Sequence, residues 1–385
     1  MTLSVQLLLG IWRATLALPD APLPFNFEMK QHQGKYLMEI MNGDERIIAD
    51  EITLKEDSMF VRLPVFDSEF KIKITDNSMS GVWINYSRKE IPHIKFTAQY
   101  GNTTRFITTE KKHATVSGRW ETWFDAGTPD SSLGIGVFDQ SGEKVKGTFL
   151  TASGDHRYLQ GNVNGDTLWM SVFDGSHVWL YKAIINGNKM DGVFWSGLHS
   201  KTKWHAVRNE KIELPDADKL TSAVRRLQFT FPDADSNLVS LSDERFKNKV
   251  VLLQIMGTWC PNCLDETAFF VDYYVKHHSE GVEMVGLAFE RTSEFNKASS
   301  NLKRLMHRYK IPYPVLLAGS TGKDAVTKAL PGITDFFSYP TTVFINRKGE
   351  AVKVHAGFSG PATGSDYEKY KNDFYETMNK LVHER

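Results

Sequence analysis

Two textures of hydrophobic patterning divide the chain. From residue 10 to about 210, short runs alternate apolar and polar side chains, as in Phe70-Lys71-Ile72-Lys73-Ile74. They are broken by turn dipeptides at Asn42-Gly43, Ser117-Gly118, Asn164-Gly165, Asp174-Gly175, Asn186-Gly187 and Asp191-Gly192. A period of two puts alternate side chains on one face of a strand, and dipeptides that tolerate positive φ fit tight hairpins. This half therefore reads as antiparallel β structure. Past residue 226 the pattern changes. Val250 to Met256 is an unbroken apolar run of strand length, Cys260 to His278 has helical character, and Val282 to Phe289 is a second buried run. Phe295 to Tyr309 sets Phe295, Leu302, Leu305, Met306 and Tyr309 at helical spacing. Tyr313 to Ala318, Thr341 to Asn346 and Ala351 to Ala356 follow as strands, with a helix expected near Asp324 to Leu330 and a closing helix from about Tyr367 to Val382. That alternation predicts an α/β sheet with helices on both faces.

The β half carries the marks of a duplication. Gly10-x-Trp12 matches Gly118-x-Trp120, Val65-Phe66-Asp67-Ser68 resembles Val172-Phe173-Asp174-Gly175-Ser176, and Met79-Ser80-Gly81-Val82-Trp83 resembles Met190-Asp191-Gly192-Val193-Phe194. The three markers recur in one order at nearly constant offset. They predict two similar β lobes, 1–109 and 110–211, each long enough for six to eight strands that close as a barrel or sandwich. A single larger barrel shared by both copies stays open. Residues 212–226 turn polar and lose the strand pattern, as a linker or connecting helix would, and 227–385 forms the α/β domain.

Composition narrows the function classes. The 385 residues hold 46 Lys+Arg and 46 Asp+Glu, for a net charge of +0, which offers no global positive field for nucleic acid. The 41% apolar share is ample for packed cores. Residues 3–12 are too short and too interrupted to span a bilayer, and they lack the basic leader and small-residue cleavage site of a signal peptide. No membrane span is expected elsewhere. On composition two readings stay open, a chain that starts after a removed export segment and a cytosolic protein.

Only 2 cysteines are present, and they form one local pair in Trp259-Cys260-Pro261-Asn262-Cys263. A buried strand, a short turn and then Cys-x-x-Cys opening a helix put the first sulfur at a helix N-terminus. There, unpaired N–H groups and the helix dipole favour a thiolate, which makes Cys260 the nucleophile. Cys263 lies one turn later, within reach of a mixed disulfide on Cys260. Pro261 suits the first helical turn, where its missing N–H removes no bond. A zinc site would need a second ligand pair, and the nearest histidines, His277 and His278, lie more than three turns on. His93, His113, His156, His177, His199 and His205 likewise show no metal spacing, so no metal is expected. A peroxidase would carry Pro and Thr ahead of its reactive thiol, where this chain has Leu253 and Gly257. Reversible dithiol/disulfide exchange is the chemistry this context favours, with the redox-active pair itself in place of any added cofactor.

Residues 227–385 resemble the TlpA-like branch of the thioredoxin superfamily, extracytoplasmic thiol-disulfide oxidoreductases that include the ResA-like proteins. The resemblance rests on Phe229-x-Phe231-Pro232-Asp233, Leu241-Ser242, Val250-Val251-Leu252-Leu253, Trp259-Cys260-x-x-Cys263 with Glu266, and Tyr339-Pro340-Thr341-Thr342-Val343-Phe344-Ile345. It implies a thioredoxin-like fold and a periplasmic or cell-envelope setting. The implied partners are protein thiols or disulfides and an external electron donor or acceptor. Gln254 stands where ordinary thioredoxins carry a buried Asp, and Glu266 stands where ResA-like proteins carry a Glu. That position makes Glu266 the expected proton shuttle, with Asp265 a similar carboxylate on a different face. Tyr339-Pro340 is the position of a cis peptide against the cysteines, where Tyr339 would offer backbone to an incoming polypeptide and Pro340 would shield the thiolate. Trp259, Pro261 and Asn262 complete the expected substrate face.

Eight of the 9 tryptophans precede the linker. Such a β module raises a competing expectation, a ligand- or carbohydrate-binding module whose redox domain is regulatory or vestigial. Repeated core residues explain the same tryptophans through packing alone.

Overall fold

The computed structural model describes residues 7–88, 90–91 and 93–384. Residues 3–6 of the N-terminal apolar stretch lie outside the described residues. The protein is multidomain, an all-β part followed by a thioredoxin-like α/β part. Two compact units result, one running to Leu150 and from His156 to Glu213, the other comprising Leu214–Arg385 together with Thr151–Asp155.

The β unit contains two barrel-like sheets. In the first, nine strands from Gly10–Ala17 to His93–Tyr100 each pair with their sequence neighbours, and the first also pairs with the last. The sheet is open only between Glu45–Ala49 and Glu51–Lys55, which Asp50 separates. These five-residue strands raise the count above the six to eight that average strand lengths predict. In the second sheet, nine strands from Gly118–Phe124 to Ser200–Arg208, the short Gly154–Asp155 among them, follow a similar order, and pairing of Ser132–Ser141 with Lys144–Thr151 closes the ring. Alternation along each strand sends apolar residues inward. Trp12 and Trp120 are both fully buried, and each indole N–H donates to the carbonyl four residues back, Leu8 at 3.2 Å and Val116 at 2.8 Å. Five of the eight tryptophans of this half are buried and the other three half-buried, so they serve the cores.

Phe173, Val178 and Leu180 of the second sheet pack into the core of the first, where Phe25 meets Phe173 at 4.7 Å between ring centroids. Arg105 joins the two sheets. Its guanidinium donates to Ser171 Oγ (2.9 Å), the Met41 carbonyl (2.9 Å), Gln160 Oε1 (2.9 Å), Asn42 Oδ1 (3.1 Å) and the Ser171 carbonyl (3.2 Å). Burial pushes its pKa down to about 9, because removing a cation from water disfavours the charged form.

Elements of the second unit are numbered here from its central strand. β1 (Val250–Met256), α1 (Pro261–His277), β2 (Val282–Glu290), α2 (Phe295–Tyr309), β3 (Val315–Ser320), α3 (Lys323–Ala329), β4 (Thr341–Ile345), β5 (Ala351–Ala356) and α4 (Ser365–His383) build one five-stranded sheet with flanking helices. The sheet order is β3-β2-β1-β4-β5, parallel among the first three and antiparallel for the last two. β1 is buried along its whole length, which is why it reads as continuous apolar sequence rather than as alternation. One face packs Val251, Leu253 and Ile255 against Val326 and Leu330 around α3. The other carries α1 and α4, whose Phe270 and Phe374 rings lie 5.6 Å apart.

Residues 212–226 hold no α-helix. Ala217–Lys219 makes one 3-10 turn, and Ser222–Ala223 pairs with Ile333–Thr334. Asp218 ties the turn to β5, lying 2.7 Å from His355 Nδ1 and 3.1 Å from Lys353 Nζ. Among the described residues, no helix is long and apolar enough to cross a membrane.

Candidate active site

β1 ends at Met256, and the turn Gly257-Thr258-Trp259 delivers Cys260 to the N-cap of α1. Pro261 occupies the first helical turn, so no backbone donor is lost there. Cys260 and Cys263 are joined by a disulfide, with Cα atoms 5.2 Å apart. Cys260 Sγ accepts the Cys263 N–H at 3.2 Å, one of the donors a helix start leaves unpaired. Cys260 keeps 6% of its surface exposed and Cys263 none. The outer sulfur is thus the one an incoming group meets first.

The turn before the cysteines is held from below. Trp259 Nε1 donates to the Phe289 carbonyl at 2.9 Å, and the Arg291 guanidinium lies 4.3 Å over the indole. Glu290, at the end of β2 and 2% exposed, accepts Thr258 N–H at 2.9 Å and Thr258 Oγ1–H at 2.7 Å. Burial pushes its pKa up, against the opposing pull of those hydrogen bonds. Glu290 escapes sequence reasoning, although a carboxylate closing an otherwise apolar strand is a signal that could have found it.

Glu266 is fully buried, which excludes a solvated first-turn glutamate. Gln254 Nε2 donates to Glu266 Oε2 at 2.8 Å and also lies 3.3 Å from the Cys263 carbonyl, so the amide in the usual Asp position bridges the carboxylate and the inner cysteine. Thr342 Oγ1 donates to Glu266 Oε1 at 2.9 Å, and Tyr370 Oη approaches the same oxygen at 3.5 Å. Thr267 Oγ1 lies 2.8 Å from the Cys263 carbonyl. Burial is the leading influence on Glu266 and raises its pKa to about 7, with the three hydrogen bonds pulling the other way. The group therefore changes protonation near neutral pH. Thr342 and Tyr370 come from β4 and α4, and nothing local to Glu266 announces them.

The Tyr339-Pro340 peptide is cis. β4 pairs with β1 so that Thr341 faces Ile255 and Thr342 faces Gln254, which brings the Tyr339-Pro340 segment to the end of β1 that leads into the cysteines. The Pro340 carbonyl accepts Gly357 N–H at 2.8 Å. Tyr339 packs edge-on against Trp259 at 5.5 Å and against Phe336 at 4.9 Å, with Phe336 buried in the core. Asn262 follows Pro261 in the first turn of α1, between the two cysteines. Among the described residues, no three His, Cys, Asp or Glu side chains gather as a metal-binding group.

The arrangement supplies an electrophilic disulfide, a helix start that stabilises negative sulfur, and a buried carboxyl titrating near neutrality beside the inner cysteine. Comparison with known proteins adds the following. The Redoxin family model matches residues 217–371. The chain is 30% identical to the thiol-disulfide oxidoreductase ResA of Bacillus subtilis (strain 168) over 139 residues, which covers 36% of this chain and 69% of that protein. It is 29% identical to ResA of Halalkalibacterium halodurans over 132 residues, 34% of this chain and 66% of that one. A thioredoxin-family thiol:disulfide interchange protein from Chlorobium tepidum TLS matches with 23% identity and a TM-score of 0.31, covering 42% of this chain and 97% of its own. A putative protein disulfide isomerase from Bacteroides thetaiotaomicron matches with 20% identity and a TM-score of 0.32, covering 42% and 91%.

Proposed function

Because the chain belongs to the ResA-like thiol-disulfide oxidoreductases of the thioredoxin superfamily, we propose that it works as a reductase of disulfides in exported proteins. The observation that carries this reading is Glu266, a buried carboxyl titrating at about 7 and bridged to the Cys263 carbonyl through Gln254. In the reduced enzyme, the helix start that now binds Cys260 Sγ favours a Cys260 thiolate. That thiolate attacks one substrate sulfur, forming the Cys260 mixed disulfide and releasing the other sulfur as a thiolate that takes a proton from water. Glu266 carboxylate then accepts the Cys263 proton. The Cys263 thiolate attacks Cys260 Sγ, closing the disulfide and expelling the second substrate sulfur as thiolate. Two electrons pass from the enzyme dithiol to the substrate disulfide. An external dithiol donor restores the starting state, and Glu266 returns its proton to solvent.

Trp259, Asn262 and Tyr339 are proposed as the substrate face, with Pro261 shaping the turn and Pro340 shielding the sulfur. The setting is extracytoplasmic, as the family resemblance implies. We read the β unit as an internal duplication, supported by the similar strand order and the Trp12/Trp120 correspondence.

The test is turnover of insulin disulfides with dithiothreitol as donor, together with trapping. Cys263→Ser is expected to accumulate mixed disulfides through Cys260, and Cys260→Ser to abolish exchange. Exchange that survives Cys260→Ser would overturn the reading.

A further inference from the structure

Within the β unit, the two sheets meet beyond their shared core. Ser68 Oγ of the first donates to the Gly175 carbonyl of the second at 2.6 Å, and Asn42 Nδ2 donates to the Phe173 carbonyl at 2.9 Å. Gly175 has φ +92°, and a Cβ there would press on Leu63 and Phe66 at 3.2 Å, so glycine lets the two sheets close up. Ser176, next along the chain, lines a cleft of about 280 Å³, its open mouth included. Trp83, Asn85 and Arg88 line it from the first sheet and the loop that follows, and His177, Trp179 and Ser196 from the second sheet.

The chemistry of this lining is one-sided. It holds an arginine and two histidines and, among the described residues, no Asp or Glu. Arg88 is half-buried and meets no carboxylate among the described residues, and burial lowers its pKa. Trp83 is 2% exposed, and its buried Nε1 has no hydrogen-bond partner. Asn85 Oδ1 accepts Ser87 N–H at 3.0 Å and Ser87 Oγ–H at 2.6 Å, which leaves the Asn85 amide as a donor. Ser196 Oγ accepts Trp179 Nε1–H at 3.1 Å and keeps its own proton to give. The nearby Asp174 carboxylate is used elsewhere. It accepts Ser176 N–H at 2.8 Å and His177 N–H at 2.6 Å, and lies 3.0 Å from His177 Nδ1. A half-buried cation and a buried N–H are both costly to leave without an acceptor, and one acidic ligand offsets both.

We propose that this cleft is a binding site for a small organic carboxylate, held by Arg88 and the Trp83 N–H. One arginine matches a single negative charge, and two carboxylate oxygens suit a guanidinium fork with a further N–H beside it. A neutral sugar would leave Arg88 without a counter-charge. A doubly charged sulfate or phosphate would meet only one permanent cation. The volume restricts the ligand to a small molecule. The site lies wholly in the β unit and does not depend on the exchange proposed for the cysteines.

The experiment titrates the full isotope-labelled chain with acetate at neutral pH and follows the indole N–H signals by NMR, the Trp83 signal being identified by its loss in Trp83→Phe. Saturable movement of that signal is expected. Arg88→Gln should weaken acetate binding about tenfold while leaving the urea midpoint in place, because a hydrogen bond to a charged group is lost. Glucose should leave the signal where it is, and sulfate should bind more weakly than acetate. Three results each overturn the proposal: no saturable movement, acetate bound equally well by Arg88→Gln, or a response to glucose or sulfate as strong as that to acetate. If Trp83→Phe does not fold, saturation transfer from the protein to the acetate methyl group, compared between wild type and Arg88→Gln, decides the matter by the same criteria.

Discussion

Arg105 in the β unit and Glu266 in the redox unit are both ionisable groups sealed from water, and their surroundings differ in kind. Arg105 is held by five bonds to neutral acceptors drawn from both sheets. Burial lowers its pKa only to about 9, so it stays a cation at neutral pH. Glu266 has three donors around its two oxygens, yet burial outweighs them and leaves it titrating at about 7. The first environment fixes a charge, and the second leaves a proton exchangeable. The same cost of removing charge from water therefore serves architecture in one unit and chemistry in the other.

Arg105→Ala breaks this comparison from the structural side and carries the largest expected effect on stability. It strands the acceptors of Asn42, Gln160, Ser171 and Met41, and each buried acceptor left without a partner costs about 1–3 kcal/mol. A loss of about 4 kcal/mol is expected, allowing for some relaxation and water entry. Urea unfolding of the β unit checks it. A loss below about 1 kcal/mol would mean that the acceptors find other partners and that Arg105 does not hold the sheets together.

Glu266→Gln tests the other side. A carboxyl whose pKa rises from 4.5 to about 7 on folding binds its proton more tightly in the native state. Its contribution to stability is therefore complete below about pH 4.5 and is lost as pH rises through about 7. The oxidised wild type should lose about 3 kcal/mol more than the variant between these limits. The kinetic partner of this effect is resolution of the mixed disulfide. In the wild type it should accelerate as pH rises through about 7, and in the variant it should slow about 100-fold and lose that pH dependence. Stopped-flow rates and unfolding curves at matched pH check both arms. A variant with unchanged pH dependence would make Glu266 a structural residue like Arg105.

What was legible in the sequence follows from how local each signal is. β1, α2 and β5 have the bounds their patterns predict, because burial on both faces, on a helical stripe or on alternate strand residues leaves its mark residue by residue. The cysteine pair and its helix start were legible for the same reason. The partners that tune Glu266 were not, since Thr342 and Tyr370 lie 76 and 104 residues away and look like any strand threonine or helix tyrosine. The linker lost its expected helix option because Asp218 is used against β5 instead.

The smallest predicted effect asks whether the two sheets of the β unit use corresponding tryptophans alike. Trp12→Phe and Trp120→Phe each remove a fully buried indole edge and one N–H bond, for an expected loss of about 2 kcal/mol apiece in urea unfolding. Trp120 should cost more by about 0.5 kcal/mol, because its bond to Val116 is shorter and fully buried and the Arg208 guanidinium lies over its ring at 4.4 Å. Trp83 supplies the control. Its buried Nε1 has no hydrogen-bond partner, so Trp83→Phe gives up packing but no bond and should cost less than either. If Trp12→Phe costs no more than Trp83→Phe, the hydrogen bond of Trp12 contributes nothing, and the likeness of the two sheets is one of outline rather than of energetics.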